Sequence, residues 1–320
     1  MIFILNLPIS IAMILLNTDV AIDNIMTSKL DEHGQVIIWE GQRPVLRYNY
    51  EMVYETDDFA FNGLDANDYV KTETDTFMAN PSIYAVPRSN YIHPLFGLAG
   101  EILTRDWSKD HPHHRGIYWA WPEVDYGNKR SDLHALQHIF ARPTGRLMIQ
   151  DAAAYAQIEA ENLWIMQDDL MPIVIEHTII RAYPEKNNRR IVDLAFRFMG
   201  LRDSIMIARR GTNAYGGLNI RMMTPKSQSL SYHTDEVGNI PRRAWSDLSG
   251  VFTGNEAYSG ITVFQHNENP EYPGQWVEYP ELSWVQPTFP SNGTRYSLDQ
   301  GNRRGRCWCG HPGYAWDNGR

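Results

Sequence analysis

Two segments in the middle of the chain decide the fold: PIVIEHTIIRAY, residues 172–183, and RIVDLAFRFMGL, residues 190–201. Apolar and polar residues alternate in both, which is the pattern of a β-strand with one buried face. The residues on the apolar face of the second segment are Val192, Leu194, Phe196 and Phe198. Each segment therefore predicts a half-buried strand.

Short segments of the same kind recur along the chain and are separated by turn residues. They are residues 36–39, 44–50, 204–208 and 217–222. Helical periodicity is weak except in residues 132–140, where a surface helix is expected. Closely spaced strands without helices between them predict an all-β protein, a large antiparallel β-sandwich.

The N-terminal run MIFILNLPISIAMILL, residues 1–16, is the longest apolar stretch of the sequence. It is shorter than the ~20 residues that span a bilayer, and Pro8 interrupts it. It resembles a signal peptide, so we predict a leader over residues 1–29 and a single β-sandwich domain over residues 30–320. Periplasmic or secreted localisation is preferred, cytoplasmic localisation is the alternative, and no membrane is expected as a partner.

Composition narrows the classes of partner and chemistry. The net charge is −9 and there is no basic run, which argues against nucleic acid. The 10 Trp and 17 Tyr suit both a large β core and platforms for sugar rings. Two cysteines, Cys307 and Cys309, cannot form a disulfide framework. GxSxG, Walker, GxGxxG and HExxH motifs are absent from the sequence, which favours acid–base or metal chemistry.

The segment TRDWSKDHPHHRGIYWAW, residues 104–121, is the densest group of chemically active side chains. If the part after Asp110 is extended, His111, His113 and Arg115 point to one side and His114 to the other, in a structural role. His111 or His113 could act as a base, because imidazole exchanges protons near neutral pH. Arg115 could hold a carboxylate. This segment is the predicted active site, with Tyr215 or another histidine as the acid.

Further side chains complete the predicted site. The substrate-binding candidates are His93, Asp106, Trp119, Trp121, Arg221 and His266. His134 and His138 lie four positions apart and would share a helix face, which permits a metal pair, although HxxxH alone is a weak signal. We therefore predict no cofactor and no assigned metal ligand, and leave open a divalent metal bound by histidines.

Residues 90–121, NYIHPLFGLAGEILTRDWSKDHPHHRGIYWAW, resemble a bacterial and fungal family labelled PmoA-like or "methane oxygenase", and DHPHHRG is the specific part of the match. Agreement continues in GLNIRM (217–222), RAWSDLSG (243–250), GITVFQHNENP (260–270) and GHPG (310–313). The resemblance implies a fold similar to galactose mutarotase, a twisted β-supersandwich. That fold hosts epimerases, polysaccharide lyases and glycoside-processing enzymes, so it does not settle the reaction.

The leading hypothesis is a carbohydrate-active enzyme that performs acid–base chemistry on a sugar or uronic acid, as a lyase, dehydratase or epimerase does. Its expected partner is an oligosaccharide or a sugar acid. One alternative is a non-catalytic carbohydrate-binding protein that uses the same tryptophans and arginine. The other is a metal-dependent hydrolase or oxygenase that uses His111, His113 and a distant histidine.

Overall fold

The computed structural model describes residues 25–54, 84–108, 111–233 and 242–298. These residues form antiparallel β-strands, with 3-10 helices at Arg210–Thr212 and Pro280–Leu282. In chain order the strands are β1 (Met26–Leu30), β2 (Val36–Glu40), β3 (Arg43–Asn49), β4 (Tyr91–Leu95), β5 (Ile117–Ala120), β6 (Glu123–Tyr126), β7 (Lys129–Ser131), β8 (Ile139–Ala152), β9 (Tyr155–Met166), β10 (Pro172–Ala182), β11 (Val192–Gly200), β12 (Ile205–Ala208), β13 (Gly217–Arg221), β14 (Lys226–His233), β15 (Trp245–Val251), β16 (Ser259–Phe264), β17 (Gln275–Tyr279), β18 (Trp284–Thr288) and β19 (Tyr296–Ser297).

The strands form four sheets. An eight-stranded sheet has the order β1-β2-β3-β4-β5-β13-β18-β17, and a four-stranded sheet has the order β11-β10-β9-β8. Two smaller sheets have the orders β19-β12-β6-β7 and β14-β15-β16. The predicted all-β antiparallel sandwich is confirmed, and the strands predicted from alternation correspond to β2, β3, β10, β11, β12 and β13.

The core lies between the eight-stranded sheet and the β8–β11 sheet. Leu194, Phe196 and Phe198 of β11 are buried, as their alternation predicts. The Trp119 ring of β5 lies 4.0 Å from the Phe196 ring, which joins the two sheets. Between them the carboxylate of Glu176 accepts hydrogen bonds from the indole N–H groups of Trp119 (2.5 Å) and Trp164 (2.7 Å).

The opposite face of the eight-stranded sheet carries polar and aromatic side chains at its centre. Side chains alternate along a strand, so Tyr118 points away from the core that holds Trp119. Asn219 pairs with Tyr118 across β5 and β13, and Arg221 pairs with Trp284 across β13 and β18, so each pair shares that outer face. Leu218 and Ile220 lie on the core side, as the alternation of residues 217–222 predicts.

The leader predicted over residues 1–29 overlaps the first strand and stays a prediction, whereas the helix predicted over residues 132–140 is wrong. The first strand, β1, begins at Met26, inside the predicted leader of residues 1–29, and Met26 is buried in the core. The helix expected over residues 132–140 is wrong, because residues 133–136 form a turn and β8 starts at Ile139. Residues 1–24 of the predicted leader, and Cys307 and Cys309, lie outside the described residues. In the described part of the chain no helix has the length and apolarity needed to cross a membrane.

Candidate functional site: a buried histidine cluster

The segment that precedes β5 is a turn and not the extended strand expected from the sequence. The backbone N–H of His114 donates to the carbonyl oxygen of His111 (2.9 Å), and that of Gly116 donates to the carbonyl of Arg105 (2.7 Å). Regular alternation therefore does not apply here. His113 and His114 both point into one cluster, and the prediction that His114 points the other way is wrong.

The centre of the site is formed by His113, His114 and His134, which we call the histidine cluster. One ring nitrogen of each lies within 4.8 Å of those of the other two. All three side chains are buried. The ring of His111 stacks on the ring of His114 with centroids 4.6 Å apart, and His111 is partly exposed. Four imidazoles therefore meet beside the outer face of the eight-stranded sheet.

His134 is brought to the cluster by the turn that follows β7. A guanidinium nitrogen of Arg88 donates to the backbone carbonyl oxygens of Leu133 (3.0 Å) and His134 (2.5 Å). The backbone N–H of Ala135 donates to the carboxylate of Asp132 (2.8 Å). These bonds hold the turn in place, so His134 is positioned by residues far from it in the sequence.

The outer face of the sheet holds the His134 ring through Nε2. This nitrogen lies 3.1 Å from Oδ1 of Asn219 and 2.9 Å from the hydroxyl of Tyr118. Asn219 Nδ2 donates to the carbonyl of Gly217 (2.9 Å), and Gln286 Nε2 donates to Asn219 Oδ1 (2.5 Å). The atom of Asn219 that faces the imidazole is therefore an acceptor, and Nε2 of His134 carries the proton.

The remaining ring nitrogens define the chemistry of the cluster. None of the described residues makes a hydrogen bond to Nδ1 of His113, His114 or His134. Burial, together with nearby histidine and arginine charges, lowers the pKa of all three side chains well below the usual value. The cluster is therefore neutral at pH 7 and can offer nitrogen lone pairs to a proton, a metal ion or a ligand.

Aromatic rings surround the cluster. The ring of Tyr215 lies 4.8 Å from that of His134, and the ring of Trp284 lies 4.8 Å from that of His114. Tyr279 stacks on Trp284 at 5.1 Å. The ring of Tyr84 lies 5.2 Å from that of His113. The imidazoles therefore have aromatic faces next to them on several sides.

A cavity of 260 Å³ lies beside the cluster. The residues that line it are Tyr84, Pro122, Arg130, Ser131, Asp132, Gln137, His138 and Arg210. Tyr84 contacts His113, and Arg210 joins Asp132 in an ion pair while it also donates to the Tyr215 hydroxyl (3.2 Å). Two residues of the cavity wall therefore contact the site: Tyr84 contacts His113, and Arg210 contacts Tyr215. His138 is one of the lining residues, and its backbone φ of 66° lies in the left-handed region.

The structure gives Arg115 and Asp106 a different environment from the one predicted. Arg115 is fully buried at 0% exposure and lies 3.5 Å from Asp106 Oδ1. Its guanidinium lies over the Trp107 ring at 3.0 Å and donates to the carbonyl of Val86 (2.8 Å). Asp106 also accepts from the Tyr91 hydroxyl (2.8 Å). Arg115 therefore has a carboxylate inside the protein, which removes it as a partner for a substrate carboxylate.

Trp119 and Trp121 were expected to bound a sugar, and the structure places both in the core instead. Trp119 packs on Phe196 and donates to Glu176. Trp121 donates to the carbonyl of Phe289 (2.7 Å) and contacts Trp164. Strand alternation explains this, because Trp119 faces the β8–β11 sheet whereas Tyr118 faces the cluster.

The remaining predicted residues lie in three places. His93, in β4, is buried and its Nδ1 lies 3.0 Å from the Thr104 hydroxyl. Arg221 is buried at the end of β13, where its charge adds to burial and to the charge of His113 in lowering the pKa of His114. His266 lies in the loop after β16, and its Nδ1 accepts a hydrogen bond from the Glu268 N–H (3.2 Å). Tyr215, the predicted acid, does lie beside the cluster.

Sequence reasoning missed several residues of the site. Asn219 and Tyr118 were not singled out, and Trp284 was not considered. One signal pointed to Asn219. It is a polar residue between the apolar residues Leu218 and Ile220, and every residue of its strand, β13, is buried. His134 was considered as half of a helical pair with His138, and the structure brings it to His113 and His114.

The fold and site define a class: an antiparallel β-sandwich protein with a buried, neutral histidine cluster beside a polar cavity. Residues 40–303 match the model of a family described as "Family of unknown function (DUF6807)". The match covers most of the chain, so the protein belongs to this family. No curated protein and no solved structure matches the chain. The resemblance to PmoA-like proteins and to galactose mutarotase stays a prediction.

Proposed function

We propose that the protein is a carbohydrate-active enzyme that moves a proton on a sugar acid at the histidine cluster. The observation that supports this most directly is the position of two proton-exchanging groups on either side of the cluster. His111 stacks on His114, and Tyr215 lies against His134. Both side chains are partly exposed, so a substrate bound over the cluster can reach them.

The reaction class follows from these groups. His111 takes the proton from the carbon next to the carboxylate. In a lyase or dehydratase the electron pair of that C–H bond forms a C=C bond, the C–O bond to the leaving group breaks, and Tyr215 protonates the leaving oxygen. In an epimerase a proton returns to the opposite face of the same carbon. The partly exposed ring of Tyr84, which lines the cavity, supplies an apolar face for a sugar ring.

Exchange with heavy water tests the proposal for both kinds of reaction. Full-length protein is incubated in D₂O with uronic acid monomers and oligosaccharides, and NMR follows loss of the proton next to the carboxylate. We expect catalysed exchange or elimination. His111→Ala and Tyr215→Phe should each lower the rate by about 100-fold or more, the usual contribution of general acid–base catalysis.

His177→Ala is the matched control, because His177 is partly exposed on β10, lies near Glu161 and was not assigned to the site. Its rate should equal that of the unmodified protein. If no sugar acid undergoes exchange or elimination while oligosaccharide binds equally well to the protein and to the His111→Ala variant, the enzyme proposal is wrong and the carbohydrate-binding alternative is favoured.

A further inference from the structure

We propose that the histidine cluster binds one divalent first-row transition-metal ion through His113, His114 and His134, with an open position for an oxygen of the substrate. The inference deepens the proposed function, on which its catalytic part rests. The binding part rests only on the geometry of the three imidazoles. They are buried together, and one nitrogen of each lies within 4.8 Å of the others.

The direction of the His134 lone pair is set by its neighbours. Asn219 has its Nδ2 engaged by the Gly217 carbonyl, so Oδ1 faces His134 Nε2 and requires a proton there. Nδ1 of His134 is consequently unprotonated, and its lone pair points away from the sheet. In metal centres a ligating histidine is commonly oriented in this way, by a bond from its other nitrogen to an amide or carboxylate oxygen.

All three Nδ1 atoms are in the same state. Each is buried, and none of the described side chains or backbone groups makes a hydrogen bond to it. A buried polar atom is normally paired, and a group of three unpaired atoms in one place needs an explanation. A cation bound among the three rings, one nitrogen of each lying within 4.8 Å of those of the other two, is the explanation that we propose.

The ligand set selects the kind of ion. Three imidazole nitrogens suit Zn²⁺, Cu²⁺, Ni²⁺ or Fe²⁺ and do not suit Mg²⁺ or Ca²⁺, which prefer oxygen. At a Zn–N distance of about 2.1 Å, tetrahedral ligands lie about 3.4 Å apart. The cluster spans up to 4.8 Å, so the rings must draw together slightly on binding. Three protein ligands leave the fourth position open, as in catalytic zinc sites.

The charge around the cluster indicates what occupies that position. Positive charges of Arg88 and Arg221 act on the cluster histidines. A divalent cation next to them favours an anionic fourth ligand such as a carboxylate. Arg115, which the sequence suggested for this task, is already paired with Asp106. The metal ion takes its place: it holds the carboxylate of the sugar acid and stabilises the negative charge that develops when the neighbouring proton leaves.

Metal binding is measured on full-length protein that has been treated with a chelator and then freed of it. Calorimetry with Zn²⁺, and metal analysis after dialysis, should give one ion per chain with a dissociation constant of micromolar or below. His113→Ala, His114→Ala and His134→Ala should each weaken binding by about 100-fold or more. His177→Ala is the matched control, because His177 is partly exposed on β10 and lies near Glu161. It should bind zinc as the unmodified protein does.

A spectroscopic measurement covers variants that fail to fold. Cu²⁺ is bound to the unmodified protein, and pulsed electron paramagnetic resonance detects the remote nitrogens of coordinated imidazoles. Signals from two or more histidines support the site. The proposal is overturned if the chelated protein binds none of these ions, if binding survives in a folded cluster variant, or if the copper spectrum shows no imidazole.

Failure of the metal site and failure of the proposed function give different results. Binding at the cluster without any turnover of sugar acids leaves the metal site intact and contradicts the function. Turnover that continues unchanged in the chelated protein supports the function and contradicts the catalytic role of the metal ion.

Discussion

Asn219 is the residue on which the geometry of the histidine cluster depends most. Its side chain connects the His134 ring to β18 through Gln286 and to the backbone of its own strand through Gly217. Every polar atom of its amide group is therefore engaged, which fixes which way the amide faces. Because the amide orientation fixes the proton on His134 Nε2, one asparagine in a strand determines which nitrogen of a histidine in a distant turn is available.

The substitution Asn219→Leu should therefore act on both stability and binding. It leaves the amide of Gln286 without its acceptor and His134 Nε2–H with only the Tyr118 hydroxyl in reach. Each unpaired buried donor costs ~1–3 kcal/mol. Urea denaturation should show a free energy of unfolding lower by about 2 kcal/mol or more. Zinc affinity should fall by about 10- to 100-fold, the usual effect of losing such an orienting partner.

Asn267→Leu is the control for this prediction, because Asn267 is exposed in the turn after β16. Its stability and zinc affinity should not change. An Asn219→Leu variant that keeps full zinc affinity would show that the proton on His134 is not set by Asn219.

At the scale of elements, the site depends on how the turn at residues 111–116 enters β5. Gly116 has a φ of 54°, in the left-handed region, and its backbone bonds to Arg105 and Arg221 on two sides. A Cβ at this position would meet the carbonyl oxygen of Ile92 and the side chain of His93 well inside van der Waals contact. The close approach of β4 and β5 at this point places His114 beside Tyr118.

We expect Gly116→Ala to destabilise the protein strongly. The left-handed conformation alone costs an alanine about 1 kcal/mol, and the clash with β4 adds to it. Gly127→Ala is a close control, since Gly127 has a φ of 61° in the β6–β7 turn and no atom within 4 Å of the added Cβ. Thermal denaturation should show a much larger loss for Gly116→Ala than for Gly127→Ala. Equal losses would mean that the approach of β4 to β5 has no energetic consequence.

At the scale of the whole molecule, buried neutral histidines make the fold sensitive to acid. Burial lowers the pKa of His93 from 6.5 to about 4, and the histidine cluster is shifted in the same direction. A histidine whose pKa is lower in the folded state binds its proton more readily when unfolded. Stability is therefore complete above about pH 6.5 and is lost progressively as the pH falls toward the folded pKa.

His93 allows this sensitivity to be measured at a single group. From pH 7 to pH 5 one such histidine should lower the free energy of unfolding by about 2 kcal/mol. Urea denaturation across this range should show that His93→Gln loses less stability on acidification than the unmodified protein, by about that amount. His177→Gln is the control, and it should follow the unmodified protein more closely because His177 is partly exposed. Parallel curves for His93→Gln and the unmodified protein would contradict the prediction.

The architecture could be predicted from the sequence because strand alternation is a local property. The faces of β11 and of β13 were assigned correctly from residues two apart, since a strand places such residues on the same side whatever surrounds it. The importance of residues 104–121 was also visible locally, as a density of histidines. A turn has no such period, which is why the extension of alternation into residues 111–115 misplaced His114.

Amino-acid sequence by itself determined that this protein is an antiparallel β-sandwich and that its histidines are concentrated before β5. Tertiary structure alone decided that His134 joins His113 and His114, that Asp106 neutralises Arg115, and that Trp119 lies in the core while Tyr118 faces the site. The physical reason is the distance along the chain over which each effect acts. Alternation acts over neighbouring residues, whereas a cluster, an ion pair or a proton position depends on which distant strands and turns pack together, and those contacts exist only once the sheets have formed.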